Sequence, residues 1–177
     1  GSSDVLIIGA GPAGLTAAIY VCRAGWTATV LDKGFYGGQM AITPEVENYP
    51  GVLRTTGPDL SQNMYEQAVG FGAQILFEEV QKVSFKSKRK AVMTSKARYE
   101  GRTVIVANGA KRRRLGCPGE EAFTGRGVSY CATCDGAFFK NQEVVLVGGG
   151  NTALEDALYL AKICSGVTLV HRRGSFR

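Results

Sequence analysis

The feature that most restricts this chain is a junction that occurs twice: apolar strand, glycine loop, helix. Val5-Leu6-Ile7-Ile8 runs straight into Gly9-Ala10-Gly11-Pro12-Ala13-Gly14, and Val144 to Val147 runs straight into Gly148-Gly149-Gly150-Asn151-Thr152-Ala153. In such a loop the first glycine permits a tight turn and the second lets backbone approach a bound group. The third position must be small for helix and strand to pack closely. A helical pattern follows each loop, from Ala13 to Arg23 and from about Thr152 to Lys162. Each helix leads to a further apolar strand, Thr29-Val30-Leu31 ending at Asp32 and Val167 to Val170 ending at His171. Runs that are apolar throughout are buried on both faces, as in a parallel sheet covered by helices.

The expected fold is therefore α/β, with two Rossmann-like, three-layer dinucleotide-binding domains. Each loop would set a pyrophosphate on a helix N-terminus, where free N–H groups and the helix dipole favour an anion. The candidates are Gly9, Gly11, Pro12, Ala13 and Gly14 in the first copy, and Gly148, Gly150, Asn151, Thr152 and Ala153 in the second. From Gly14 to Asp32 and from Ala153 to His171 the spacing is 18 residues in both copies, so Asp32 and His171 are equivalent. A carboxylate there accepts hydrogen bonds from ribose hydroxyls and repels a 2′-phosphate, which suits FAD. His171-Arg172-Arg173, with Arg177 further on, suits the 2′-phosphate of NADPH. Charge-assisted contacts of about 1.5–3 kcal/mol each would let two arginines favour NADPH over NADH by roughly 10²–10⁴.

Between the repeats, a helix is expected from Pro58 to about Val69, then short meander strands from Gln74 to Thr94, then a buried strand Thr103 to Ala107. Pro118-Gly119-Glu120-Glu121 reads as a boundary, giving an FAD domain over 1–114 and an NADPH domain over 115–177. The second repeat has two strands and one helix, too little to cover both faces of a parallel sheet. The expectation is that these 177 residues are part of a longer protein, with both domains incomplete.

Cys131-Ala132-Thr133-Cys134 lies between the two loops. A zinc site needs about four ligands, and this chain has one histidine and no second cysteine pair. A structural bridge enclosing two residues would restrict the unfolded chain little. Redox exchange remains, because a cysteine in such a pair is more readily a thiolate, the form that attacks disulfides. Asp135 follows directly and could shuttle protons as thiolates form, or simply serve the turn before Gly136.

Composition narrows the function further. The net charge of +6 raises the question of nucleic acid, but neither aromatic-basic interleaving nor helix-turn-helix spacing accompanies it; no nucleic acid is expected. Lys86-Ser87-Lys88-Arg89-Lys90 reads as a solvated hairpin tip. Five cysteines, three of them isolated, do not make a secreted disulfide framework. Cys22 and Cys164 are expected to be buried as small hydrophobes. No signal peptide or membrane span is read, and the expected location is the cytoplasm.

With both loops and the pair in place, the chain resembles the low-molecular-weight thioredoxin reductases of bacterial and plant type, almost end to end. The resemblance lies in Gly9–Gly14, Gly37-Gly38-Gln39, Glu45–Gly51, Gly125–Gly136, Gly148–Ala153 and His171-Arg172-Arg173. It implies electron flow from NADPH to FAD, to the Cys131–Cys134 disulfide, and then to thioredoxin. It implies that Cys134 faces the flavin, that Cys131 attacks the thioredoxin disulfide and that Asp135 is the acid. Gly38, Gln39 and Asn48 match FAD-contacting positions. So does Gly109, although Ala107-Asn108-Gly109 stands where Ala-Thr-Gly is usual. Arg172, Arg173 and Arg177 match the 2′-phosphate binders. A homodimer without metal is implied. The alternatives are a relative that draws on ferredoxin or serves another disulfide partner, and a non-catalytic flavin-binding module.

Overall fold

The computed structural model describes residues 1–111 and 113–175. The chain forms two units, Gly1–Lys111 and Arg112–Arg177, and each has its own sheet.

The first unit is built on β1 (Ser2–Ile8), followed by α1 (Pro12–Arg23), β2 (Ala28–Asp32), α2 (Gly57–Gly70), β3 (Gln74–Phe77), β4 (Val80–Ser84), β5 (Lys90–Thr94) and β6 (Arg98–Val106). The strand order is β3-β2-β1-β6-β5-β4, with β1 parallel to both neighbours. Side chains alternate across a strand, and the two fully buried residues at the centre of β1 serve different clusters. Ile7 packs with Leu15, Ala18 and Ile19 of α1 and Leu60, Met64 and Ala68 of α2. Leu6 packs with Leu31, Val92 and Tyr99. Thr56 caps α2, its hydroxyl accepting the Asp59 N–H at 3.1 Å, and Pro58 sits in the first turn, where its missing N–H costs nothing.

Two features differ from the sequence expectation. Gln74–Phe77 is no meander strand: β3 pairs parallel with β2. Helix α2 carries the chain back across the sheet, so the next strand joins as the return of a βαβ crossover. Only β4, β5 and β6 form the antiparallel meander. The last strand is also longer than expected, because Gly101 lets β6 pass over the core; a Cβ there would lie 2.8 Å from Leu6 Cγ. Residues 86–89 are exposed in the β4–β5 connection.

The second unit runs α3 (Glu120–Phe123), α4 (Ala132–Asp135), β7 (Glu143–Val147), α5 (Asn151–Leu160) and β8 (Gly166–Val170). β7 and β8 pair parallel, Val144 opposite Val167 through Val147 opposite Val170. Helix α5 ends two residues before the expected Lys162, and the chain turns through 161–165 with the Cys164 N–H on Leu160 O at 2.8 Å. Val145 and Val147 are 67% and 50% exposed, so two strands and one helix leave apolar surface uncovered. Gly136 seats the cysteine segment on α5: a Cβ there would come within 3.0–3.2 Å of Tyr159, Ile163 and Leu160. Cys22 and Cys164, expected to be buried, are half-buried, and Cys117 is exposed.

Candidate active site

The glycines of the first loop do three different jobs. Gly9 has φ +108, and a Cβ on it would lie 2.2 Å from Ala107 O; its N–H donates to Leu31 O at 2.8 Å. Gly14 packs so closely that a Cβ would lie 1.9 Å from Gly9 O. At Gly11, by contrast, a Cβ would meet nothing within 4 Å. Gly11 is the N-cap of α1, with no side-chain cap, and Pro12 opens the helix. Tight glycines thus aim the helix N-terminus, and an open one keeps the space before it clear, which fits a bound pyrophosphate.

Asp32, at the end of β2, is turned onto this loop. Its Oδ2 accepts the Ala10 N–H at 2.8 Å and its Oδ1 accepts the Gly34 N–H at 2.9 Å. The Gly37 N–H donates to Ala10 O at 2.8 Å, and Gly38, at φ +55, lies against Gly11, whose Cα would be 3.4 Å from a Cβ on Gly38. The fold therefore brings Gly9, Gly11, Gly14, Asp32 and Gly38 together. Gln39 is exposed beside Gly38. Asn48 lines an open depression formed by residues 47–53. Gly109 is exposed with φ +61, just beyond β6.

The second loop repeats the backbone bonds and the open N-cap glycine of the first. The Gly148 N–H donates to Val170 O at 3.0 Å, and the Leu154 N–H donates to Gly150 O at 3.2 Å, as Leu15 does to Gly11 at 2.9 Å. Gly148 packs against Ala153, so that a Cβ on it would lie 2.7 Å from the Ala153 Cβ, whereas Gly150, the N-cap of α5, faces open space. Asn151 and Thr152 are exposed in the first turn of α5. The copies diverge at the strand end. The His171 ring lies where a side chain on Gly149 would go: a Cβ there would be 2.0 Å from Nδ1. Gly149 was not among the residues the sequence singled out, although a third glycine in place of Ala10 was the visible signal. Arg172 and Arg173 are exposed just beyond β8. Arg177 lies outside the described residues.

Cys131 and Cys134 are joined as a disulfide, Cα–Cα 5.3 Å. Cys131 is half-buried before α4, and Cys134 is exposed on that helix. The Asp135 N–H donates to Cys131 O at 3.0 Å, and the Asp135 carboxylate accepts from the Ser129 hydroxyl. Among the described residues, no group of three or more His, Cys, Asp or Glu is placed to hold a metal ion.

Residues 3–177 match the pyridine nucleotide-disulphide oxidoreductase family. The chain belongs to that family. It is 49% identical over 174 residues to the thioredoxin reductase of Bacillus subtilis (strain 168), covering 98% of this chain and 55% of that protein. Among solved structures, it is similar to thioredoxin reductase from Streptococcus pyogenes MGAS5005 at TM-score 0.92 and 49% identity, covering 99% of this chain and 57% of the other. It is likewise similar to thioredoxin reductase from Giardia duodenalis at TM-score 0.95 and 40% identity, covering 99% and 58%. The chain spans just over half the length of these proteins.

This family member carries a polar cluster beside its disulfide that the sequence did not reveal. Glu120 is a carboxylate only 7% exposed. Its Oε1 accepts the Leu115 N–H at 2.7 Å and the Tyr130 hydroxyl at 2.5 Å, and its Oε2 accepts the Gly116 N–H at 2.6 Å. The Tyr130 hydroxyl foremost, then the two backbone donors, hold the Glu120 carboxyl below its ordinary value of 4.5. The same contact pushes the Tyr130 phenol up. One carboxylate thus ties the start of the second unit to the residue before Cys131. Its folded value is depressed, so its contribution to stability is present above pH 4.5 and is lost as pH falls through the depressed value. Glu120→Gln should lower the urea midpoint of the full-length protein at pH 7, because an amide NH₂ would face a donor. The deficit should shrink toward pH 3, and a deficit constant with pH would refute the charged role.

Proposed function

We propose that this chain belongs to an NADPH-dependent flavoprotein disulfide reductase that delivers electrons through FAD and the Cys131–Cys134 disulfide to thioredoxin. The observation that carries this is a disulfide accompanied by two glycine loops that share the same backbone bonds and open N-cap glycine and whose strand ends carry opposite charge. Residues 1–114 are assigned to the FAD domain and 115–177 to the NADPH domain. Gly9–Gly14, Asp32, Gly38, Gln39, Asn48 and Gly109 would hold FAD. Gly148–Ala153, His171, Arg172, Arg173 and Arg177 would hold NADPH. When bound, a flavin supplies a two-electron relay between a hydride donor and a disulfide.

The chain's own residues complete the transfer. Two electrons and two protons convert the Cys131–Cys134 disulfide to a dithiol. Cys131 passes its proton to Asp135, and the resulting thiolate attacks one sulfur of the partner disulfide, forming a mixed disulfide and displacing a partner thiolate, which takes that proton back from Asp135. The Cys134 thiolate then attacks Cys131 Sγ. This breaks the mixed disulfide, restores the internal one and releases the partner's second thiolate, which takes from solvent a proton equal to the one Cys134 gave up. The protein is assigned to the cytoplasm as a homodimer. Among the described residues, no helix is long and apolar enough to cross a membrane.

The test is NADPH oxidation by the full-length protein, with and without oxidised thioredoxin. Oxidation that depends on thioredoxin and ends in its dithiol form is expected. Oxidation indifferent to a disulfide acceptor would overturn the assignment.

A further inference from the structure

We propose that Ser129 is a positioning residue for disulfide exchange, acting by holding the Asp135 carboxylate and the Cys131 main chain in one frame. The proposal rests on the exchange chemistry assigned above to Cys131, Cys134 and Asp135. The Ser129 hydroxyl donates to Asp135 Oδ2 at 2.5 Å and accepts the Cys131 N–H at 3.1 Å. The Asp135 N–H in turn donates to Cys131 O at 3.0 Å. Together these contacts close a ring that starts and ends on Cys131.

A hydroxyl has one proton to give and two lone pairs to receive with. Donating to the carboxylate while accepting the Cys131 N–H uses these capacities consistently. Cys131 O lies further from the hydroxyl, at 3.4 Å. The ring matters because α4 has four residues and its N-cap, Cys131, makes no side-chain cap. A single turn is marginal by itself. Without Ser129, the Asp135 side chain loses the hydroxyl contact that ties it to the Cys131 main chain.

The assisted step is the departure of a thiolate. Cys131–S⁻ attacks RS–SR, the Cys131–S–SR bond forms, the S–S bond of the acceptor breaks, and RS⁻ leaves to be protonated. A leaving thiol of high pKa needs that proton, whereas one of low pKa departs without it. Glutathione disulfide and 5,5′-dithiobis(2-nitrobenzoate) therefore separate proton delivery from thiolate attack. Neither requires NADPH, because the pair can be reduced beforehand with excess dithiothreitol and desalted.

In stopped flow on the full-length protein, Ser129→Ala should slow reaction with glutathione disulfide by about 10–100-fold, a fraction of what a positioned acid contributes. Reaction with the aromatic disulfide should stay within about two-fold. Ser129→Thr should restore the rate with glutathione disulfide. Ser129→Ala combined with Asp135→Asn should be no slower than Asp135→Asn alone, since residues acting as a unit are not additive. Equal slowing with both disulfides, no rescue by threonine, or additive losses would each overturn the proposal. A wild type that shows this pattern but fails to couple NADPH oxidation to thioredoxin would refute the assigned overall activity and leave the role of Ser129 intact.

Discussion

Cys134→Ser should lower thioredoxin-dependent NADPH oxidation by the full-length protein at least about 10³-fold, the scale seen when a residue of a covalent relay is removed. The reason is stoichiometric. A disulfide accepts two electrons as a unit, and one remaining thiol at Cys131 cannot store or return that pair. Cys134 is exposed on α4, and the bridge it loses encloses only two residues and restrains the unfolded chain little, so the fold should survive. The same variant should still oxidise NADPH with ferricyanide, which draws electrons upstream of the disulfide. Retention of turnover with thioredoxin would refute the relay. Loss of both reactions would point to a failure of folding or of cofactor binding.

The second large effect concerns the nucleotide. Arg172→Ala combined with Arg173→Ala should reduce kcat/KM for NADPH by about 10²–10⁴, the sum of two charge-assisted contacts. The value for NADH should change only a few-fold. Both side chains are exposed beyond β8, directly after His171, the counterpart of Asp32. Their removal unpacks nothing, so a selective loss can be read as lost phosphate recognition. The comparison with NADH is essential, because damage to the His171–Gly149 contact would depress both cofactors alike. Equal losses would assign the 2′-phosphate to other residues.

The glycine loops, the strands before them and the helices after them were legible because their signals are local. A buried parallel strand must be apolar throughout, and a loop that turns tightly before a helix must carry glycine at set spacings. That is why Gly9, Gly14 and Gly148 could be placed from sequence, and the structure gives each a close backbone or side-chain neighbour. The cysteine pair was legible for the same reason. Its disulfide closes over three residues of sequence separation.

What remained hidden depends on partners distant along the chain or on choices between equal local patterns. Gln74–Phe77 has the composition of any short strand; pairing with β2 instead of β4 follows from where α2 delivers it. Gly149 matters because the His171 ring fills its missing side chain, a contact across 22 residues. In the sequence Glu120 marks only a boundary between domains. It is buried because two backbone N–H groups and the Tyr130 hydroxyl converge on it, and burying a carboxylate is tolerable only with such partners.

The sequence by itself determined the fold class and the two strand–glycine loop–helix junctions, set by periodicity and spacing within single βαβ units, and the Cys131–Cys134 pair, set by adjacency in the chain. Only the tertiary structure decided how the pair is supported. Ser129, Tyr130 and Glu120 acquire roles through directional hydrogen bonds, and those form only once the chain has brought donor and acceptor within reach.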